Sequence, residues 1–366
     1  MEKTDSIMSL WEAGVTAVRG DVAVGRAITD GTVARPDCII AVGKAAVSMA
    51  RPACAAYPGV PCLIVTKYDH GAGAPPGATV IEAAHPVPDA ASLDAGRALQ
   101  SAVASCGAGD HLLMLVSGGA SALAELPIEG LTLDDLITST NALLGSGATI
   151  AAMNMHRTAR SQIKGGKLLT GFGGARVTTL AISDVEGDAL AIIGSGIGDA
   201  PSDAPFDFAP QIVASNTIAR NAVAAASALP VTCNVETLYG DISALIPRLS
   251  AEISAAPPGV MIFGGEPVVV LPPDPGTGGR NMALALNLAR EIAGTTGLRI
   301  LVGGTDGTDG PTDAAGALVD GETWEDSGAD ALARADAYPW LDARGALVKT
   351  GPTGTNVADL LVVIKD

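Results

Sequence analysis

The sequence predicts an α/β protein made of two domains. Short apolar runs alternate with alanine-rich segments of helical spacing along most of the chain, an order typical of helices packed on a mostly parallel sheet. Hydrophobic residues make up 48% of the 366 residues, which is enough for a large packed core. The length exceeds the roughly 100–200 residues of a usual domain and therefore favours two.

The predicted strands are continuous apolar runs, as expected for strands that helices cover on both faces. In chain order they are Cys38–Val42, Cys62–Thr66, Thr79–Ala83, Leu112–Val116, Arg176–Ile182, Val260–Phe263, Val268–Leu271, Arg299–Val302 and Leu360–Ile364.

The predicted helices lie between these runs. Asp89 and Thr132 precede two of them, at positions where a side chain can cap a helix N-terminus. The helices are Lys44–Ala56, Ala90–Ser105, Leu133–Leu144, Ile150–Lys164, Ala209–Ala228, Ile242–Ala255 and Asn281–Ala293, with a shorter late helix that opens at Thr323–Asp326.

A change in composition marks the expected domain boundary. Gly194–Pro210 is rich in Gly, Pro and Asp and lacks periodicity, which indicates a linker or a functional loop. We expect an N-terminal domain at residues 1–210 and a C-terminal domain at 211–366. The final strand could return to the N-terminal domain, and the sequence leaves this alternative open.

Charge and composition exclude several classes of partner. The net charge is −17 and aromatic residues are only 3% of the chain, so we expect neither nucleic acid nor an anionic membrane as a partner. No apolar stretch reaches the length of a transmembrane helix, and the acidic start does not resemble a secretory signal. The 5 cysteines are scattered without a C-x-x-C pair, as in a cytoplasmic protein with reduced thiols.

Gly-rich turns recur where predicted strands end or helices begin. At such turns backbone N–H groups can approach an anion, and a helix N-terminus adds its positive dipole end. Single turns of this kind serve backbone geometry alone, but their repetition predicts an anion-binding site beyond the strand ends. The turns are Gly43-Lys44, Ser117–Ser121, Gly264–Glu266, Gly276–Asn281, Gly303–Gly310 and Gly351–Asn356.

Neither of the two familiar nucleotide-binding fingerprints is present. Gly43-Lys44 is followed by Ala and lacks the upstream Gly of a P-loop, and no G-x-G-x-x-G string occurs. Asp184 and Asp306 follow predicted strands beside the Gly-rich turns, where carboxylates suit Mg²⁺ carried by substrate phosphates. Asx turns are the alternative interpretation for these residues and more so for Asp309 and Asp313.

Two further features are compatible with a role in the site. His85 invites assignment as a general base, although a loop histidine before proline more often packs or hydrogen-bonds. The basic segment Asn154–Lys164 is either a solvated helix face or a surface that meets a carboxylate or phosphate. The remaining histidines show no zinc-ligand spacing.

Taken in order, the motifs resemble the class II glycerate kinases, a family with a MOFRL C-terminal domain that has long carried the name hydroxypyruvate reductase. The matching strings span almost the whole chain. They are AVGKAA at 41–46, HPVPDAAS at 85–92, LVSGGASAL at 115–123, SQIKGGKL at 161–168, SDVEGD at 183–188, FGGEPVVV at 263–270, GGRN at 278–281, GGTDGTDGPTDAAG at 303–316 and GPTGTNVADL at 351–360.

The resemblance implies phosphorylation of D-glycerate at the 2-hydroxyl by ATP and Mg²⁺, giving 2-phosphoglycerate. It also implies a Rossmann-like N-terminal domain, a smaller α/β C-terminal domain and a cleft between them. Lys44, Arg280 and Asp184 would be catalytic, and Asp184 and Asp306 would lie near the metal. The implied substrate and nucleotide contacts are Gly43, Ser117, Gly118, Gly119, Ser121, Lys164, Gly265, Glu266, Gly279, Asn281, Thr305, Asp306, Gly307, Thr353, Thr355 and Asn356.

The chain departs from the family pattern at Met282-Ala283 after GGRN and at Ile197 after Ser195-Gly196. Three alternatives stay open: an NAD(P)H-dependent hydroxypyruvate reductase, a kinase of another small hydroxy acid such as tartronate, and a non-catalytic sensor. A monomer and a homodimer are both compatible with the sequence.

Overall fold

A computed structural model describes residues 6–145 and 150–366. The chain forms two compact units. The N-terminal unit comprises Arg19–Ser215 and Gly354–Asn356, and the C-terminal unit comprises Met1–Val18, Asn216–Thr353 and Val357–Asp366.

The N-terminal unit contains a six-stranded parallel sheet. Its strands are β1 (Cys38–Val42), β2 (Cys62–Lys67), β3 (Thr79–Ala83), β4 (His111–Val116), β5 (Arg176–Ile182) and β6 (Asp207–Ala214). They lie in the order β3-β2-β1-β4-β5-β6, which is the strand order of doubly wound nucleotide-binding sheets. Its helices are α2 (Gly20–Thr29), α3 (Ala46–Ala56), α4 (Ala90–Ala104), α5 (Ala120–Leu123), α6 (Leu133–Gly145) and α7 (Ile150–Arg160).

The C-terminal unit contains a second six-stranded sheet, which is mixed. Its order is β13-β12-β11-β14-β9-β7; only the β7–β9 pair is parallel. The strands are β7 (Val231–Glu236), β9 (Gly259–Gly265), β11 (Leu298–Gly304), β12 (Gly316–Asp320), β13 (Leu347–Val348) and β14 (Asp359–Lys365), with a separate pair of β8 (Gly240–Asp241) and β10 (Pro267–Val268). The helices are α1 (Ile7–Ala17), α8 (Asn216–Ala226), α9 (Ile242–Ala255), α10 (Arg280–Glu291), α11 (Gly328–Ala333) and α12 (Ala337–Asp342).

Alternation along β14 explains why the strand packs on both sides of the C-terminal sheet. Leu361 and Val363 belong to the cluster formed with α9 and α10. Leu360 points to the opposite face, where it lies beside Gly14 of α1. Both faces of this strand are buried, because successive side chains of a strand point to opposite sides of the sheet.

The division into units differs from the boundary expected at residue 210. The first unit continues to Ser215, because Asp207–Ala214 is the edge strand β6 rather than a linker or the first turns of a helix. Residues 6–18 belong to the C-terminal unit, where α1 packs on α8. The final strand pairs with β9 and β11 and so stays in the C-terminal sheet.

Several predicted elements require correction. The expected strand Val268–Leu271 is reduced to β10, and residues 269–271 are not strand. The expected helix Ile150–Lys164 ends at Arg160, since Ser161 forms a bridge with Pro127. The late helix begins at Gly328, not at Thr323.

Among the helices that the structure describes, none has the length and hydropathy needed to cross a membrane.

Candidate functional site

Two Gly-rich loops lie side by side at the carboxyl edge of the N-terminal sheet. The neighbouring strands β1 and β4 end in register, with Val42 opposite Val116. The Lys44 N–H donates to the Gly118 carbonyl at 3.0 Å, and the Ala45 N–H donates to Ser117 Oγ at 3.1 Å. These bonds fix Lys44 against the loop that follows β4.

The glycines of these loops are required by close approach. Gly43 has a φ of +129°, and a Cβ there would collide with Ser117. A Cβ on Gly118 would collide with the carboxylate of Asp184, which follows β5. The predicted residues Gly43, Gly118 and Asp184 are therefore brought together, as the rule for adjacent parallel strands predicts.

Lys44 and His85 flank Gly119. A Cβ on Gly119 would lie 3.1 Å from Lys44 Cγ and 3.2 Å from His85 Cδ2. Burial, followed by the positive charges of Lys44, Lys67 and Arg157, lowers the pKa of His85 to about 3. The imidazole is therefore neutral at physiological pH and stands in a region of positive potential.

The turn before the last strand is shared by the two units. Thr353 belongs to the C-terminal unit, where its hydroxyl donates to the Thr305 carbonyl at 2.6 Å. Gly354 belongs to the N-terminal unit, where its carbonyl accepts from Ser48 Oγ at 2.6 Å. The Asn356 side-chain amide donates from Nδ2 to Asp184 Oδ2 at 3.4 Å. This predicted contact residue therefore lies at the carboxyl edge of β5, which Asp184 follows.

The structure disagrees with the ligand contact predicted for Lys164. Its amine is fully buried and forms an ion pair with Glu125, which also accepts a hydrogen bond from Ser161 at 2.6 Å. Burial lowers the pKa of Lys164 and Glu125 opposes this shift. The basic segment instead contributes Arg157, whose Nη1 donates to Ser121 Oγ at 2.9 Å.

A second group of predicted residues meets at one edge of the C-terminal sheet. Asp359, at the start of β14, lies in register between Gly265 of β9 and Gly304 of β11. Arg280 binds Asp359 through Nε at 2.6 Å and through Nη2 at 3.2 Å, and its Nη1 lies 3.0 Å from Glu266. Burial opposes the Arg280 charge, but Asp359 and Glu266 raise its pKa well above the ordinary range.

Asp309 anchors the N-terminus of α10. Its two carboxylate oxygens accept the backbone N–H groups of Asn281 at 3.1 Å and Met282 at 2.8 Å. Burial outweighs these bonds and raises the pKa of Asp309 to about 7. The side-chain amide of Asn281 is fully enclosed and has no hydrogen-bond partner in the described structure.

Two residues of this unit that were predicted to contact ligands, Thr305 and Asp306, form hydrogen bonds within the fold. The Thr305 hydroxyl donates to the Ala358 carbonyl at 2.7 Å and accepts from the Val357 N–H at 2.9 Å. Asp306 Oδ1 accepts the N–H and hydroxyl of Thr308 at 3.0 and 3.1 Å, the Asx turn considered for it.

The described carboxylates offer few ligands for a metal ion. No group of three or more His, Cys, Asp or Glu side chains suited to a metal ion occurs in residues 6–145 and 150–366. Mg²⁺ that arrives with substrate phosphates needs only one or two carboxylates. Asp184, placed against the backbone of Gly118, fits that requirement.

Sequence reasoning missed Asp359 and Lys67. Asp359 directly precedes an apolar strand and resembles an ordinary strand-end residue; only the register places it between two Gly-rich strand ends. Lys67 ends β2, and its position beside the His85 region follows from the strand order. A scan for charged residues at all strand ends would have found both.

Sequence and structure comparisons find the same family over most of the chain. Residues 6–229 match the family described as domain of unknown function DUF4147, and residues 259–359 match the MOFRL family. A D-glycerate 2-kinase of Thermotoga maritima is 36% identical, covering 88% of this chain and 89% of the relative. A glycerate 2-kinase of Pyrococcus horikoshii is 35% identical, with 89% and 86% covered.

A further relative and a solved structure are also similar to this chain. A provisionally named hydroxypyruvate reductase of Agrobacterium vitis is 37% identical, with 89% of this chain and 98% of the relative covered. The crystal structure of glycerate kinase from Thermotoga maritima superposes with a TM-score of 0.87 at 32% identity, covering 98% of both chains.

The fold and loops define a two-unit α/β protein with Gly-rich turns at the carboxyl edge of a doubly wound sheet. The chain belongs, more narrowly, to the class II glycerate kinase family, which combines the DUF4147 and MOFRL domains.

Proposed function

We propose that the protein is an ATP-dependent kinase that phosphorylates D-glycerate at the 2-hydroxyl, giving 2-phosphoglycerate and ADP. The observation that carries the proposal is the position of Lys44, held between two Gly-rich loops at the carboxyl edge of the sheet. Within the described residues, Lys44 forms no ion pair. A cation in such a place suits a phosphoryl group in transfer. The names of the Thermotoga and Pyrococcus relatives agree with this choice.

In this proposal Lys44 and the backbone N–H groups of Gly118 and Gly119 stabilise charge on the transferring phosphoryl group. Arg280 is the second catalytic cation, and its pairing with Asp359 fixes its orientation. The further substrate and nucleotide contacts are those predicted from the sequence, apart from the enclosed Lys164 and from Thr305, whose buried hydroxyl is already paired with the backbone. D-glycerate and ATP are the proposed ligands, in a cytoplasmic monomer or homodimer.

Mg²⁺, when bound, would neutralise phosphate charge and orient the phosphates. Asp184 is the carboxylate of the N-terminal unit that fits it, since Asp184 lies against the Gly118 backbone. We assign Asp306 a lesser part, because its Oδ1 already accepts two hydrogen bonds within its own turn.

The test is a ³¹P NMR time course with Mg·ATP and D-glycerate. A new monoester signal at the position of 2-phosphoglycerate, growing as ADP appears, is the expected result. A 3-phosphoglycerate signal would keep the kinase and change the acceptor hydroxyl. No phosphoester would reject D-glycerate as the substrate.

The name of the Agrobacterium relative makes hydroxypyruvate reduction the second candidate. The chain lacks the G-x-G-x-x-G fingerprint of dinucleotide-binding folds, so we expect no NADH oxidation when hydroxypyruvate is added. A panel of small hydroxy acids that includes tartronate separates the remaining kinase alternatives. Ligand binding without ATP turnover would indicate a sensor.

A further inference from the structure

Arg157 is held beside the loop that follows β4. It lies in α7, is partly buried, and donates from Nη1 to Ser121 Oγ at 2.9 Å. Ser121 is in α5, two residues after Gly119. In the part of the chain that the structure describes, this is the one hydrogen bond of the guanidinium. The bond orients the group and leaves the Nη2 and Nε donors for a ligand.

The surroundings of Arg157 are positive although the whole protein is acidic. Lys44, Lys67 and Arg157 all act on His85, where they disfavour the imidazolium form. None of these three cations forms an ion pair with any described residue. Glu125, the carboxylate that acts on Arg157, is already bound to Lys164, Ser161 and the Leu126 N–H. In a chain of net charge −17, such a group of cations fits an anionic ligand.

The two kinds of cation suit two different anionic groups. An ammonium is a compact point charge that suits a phosphoryl oxygen, and Lys44 lies in the Gly-rich turn that follows β1. A guanidinium presents a planar fork that matches both oxygens of a carboxylate. Lys44 flanks Gly119, whereas Arg157 holds Ser121 two residues further on, so both cations border the loop that follows β4.

We propose that Arg157 binds the carboxylate of the hydroxy-acid substrate and that Ser121 is its positioning residue. The inference rests on the proposed function for the identity of that substrate. Arg280 is less suited to this task, because its guanidinium is already occupied by Asp359 and Glu266. Lys164 is excluded by its burial in an ion pair.

Calorimetric titration with D-glycerate, in the absence of nucleotide, measures this contact without turnover. Arg157→Gln should weaken D-glycerate binding roughly ten- to hundredfold, the usual range for a charge-assisted hydrogen bond. Arg160→Gln is the matched control on the same helix. Arg160 acts on Asp135 at the start of α6, where it adds to the Thr132 hydrogen bonds that lower the Asp135 pKa. The control should bind like the wild type.

Steady-state kinetics distinguish a substrate-binding role of Arg157 from a purely structural one. Arg157→Gln should raise the KM for D-glycerate, leave the KM for ATP unchanged, and reduce the preference for D-glycerate over its neutral amide. Arg157→Lys should recover part of the affinity, since the charge returns without the planar fork. A higher KM for ATP alone, or an unchanged preference over the amide, would overturn the inference.

The outcomes separate this inference from the proposed function. If the wild type phosphorylates D-glycerate and Arg157→Gln does so with the same KM, the inference fails and the function stands. If another hydroxy acid from the panel binds instead, and Arg157→Gln weakens that binding, the inference stands and D-glycerate fails.

Discussion

Lys44 is the residue on which the proposed chemistry depends most directly. The adjacent loops fix its backbone, and no described carboxylate neutralises it, so its charge is available to a phosphoryl group. Lys44→Met should lower kcat at least a hundredfold, by about 3 kcal/mol of transition-state stabilisation. Steady-state kinetics with Mg·ATP and D-glycerate measure this loss.

The control for Lys44→Met is Lys349→Met, which removes a surface lysine paired with Asp313 and Asp342. That variant should keep its turnover. Both variants should show wild-type circular dichroism. Turnover of Lys44→Met within a fewfold of the wild type would remove Lys44 from the catalytic group.

The pKa of His85 depends on the charge of its neighbours. Burial, followed by Lys44, Lys67, Arg157 and His70, lowers its pKa to about 3. A depressed pKa means that the folded protein disfavours the imidazolium, so no titration of His85 should be seen between pH 5 and 8. Saturating D-glycerate should raise the His85 pKa, because the bound anion offsets the cationic neighbours. The ¹H NMR shifts of the histidine Cε1 protons measure both effects.

His111 is the internal control for this titration. It lies at the opposite end of β4, between Thr178 Oγ1 and the Arg35 carbonyl. Burial lowers its pKa as well, but an anion at the carboxyl edge should not change it. An unliganded His85 that titrates near its ordinary value of 6.5 would contradict the positive surroundings described for it.

At the scale of elements, α10 depends on a cap from a distant loop. Its N-cap residue is Gly279, which has no side chain to cap with, and Asp309 accepts the two N–H groups instead. Asp309→Ala leaves both buried donors unpaired and should reduce the free energy of unfolding by about 3 kcal/mol. Asp309→Asn keeps one acceptor and should cost roughly half as much. Urea denaturation at fixed pH measures the difference.

The pH dependence of the Asp309 variants has a definite sign. The folded-state pKa of Asp309 is about 7, above the ordinary value of 3.8. The stabilising contribution of its bound proton is therefore fully present below pH 3.8 and is lost as the pH rises through 7. The deficit of Asp309→Asn relative to the wild type should shrink between pH 5 and 8. A deficit that grows over this interval would contradict the raised pKa.

The elements that the sequence predicted well are those with one dominant signal. β1 and β5 were predicted with their observed bounds, because each is a run rich in apolar and β-branched residues with a glycine or an aspartate within two residues of each end. β6 was missed, since it contains Pro210 and starts with Asp207, and a polar strand with proline is tolerated only at the edge that it occupies. β12 was missed because it is short and follows a Gly- and Asp-rich turn.

The site was predictable as a set of loops but not as a set of contacts. Adjacent parallel strands bring Lys44 and Gly118 together by a general rule. α7 ends at Arg160, because the next residue, Ser161, is held by Glu125 and Pro127. For this reason Arg157, and not Lys164, reaches the loop. Asp359 enters the site only through the antiparallel register of β14, which composition does not encode.

At the scale of the whole molecule, the chain begins and ends in the same compact unit. α1 packs on α8 and β14, and the last strand pairs with β9 and β11. The N-terminal unit is therefore inserted between the first helix and the rest of the C-terminal unit. A boundary placed from composition alone could not show this insertion, because nothing in the sequence of α1 indicates that it packs on α8 and β14.

The last prediction concerns this discontinuous unit. Ile7, Leu10, Trp11 and Val15 of α1 are all buried, and each contributes about 2 kcal/mol. Their sum, about 8 kcal/mol, is comparable to the usual stability of about 5–15 kcal/mol for a whole domain. A fragment of residues 216–366 should therefore not unfold cooperatively in urea, whereas the same fragment joined to residues 1–18 should. In the full chain, Trp11→Ala should cost about 3–5 kcal/mol and speed hydrogen exchange in β11, whose Gly303 lies against the Trp11 ring. Glu12→Ala, an exposed position on the same helix, should change neither. Cooperative unfolding of residues 216–366 alone would show that α1 is dispensable and that the unit folds from one continuous segment.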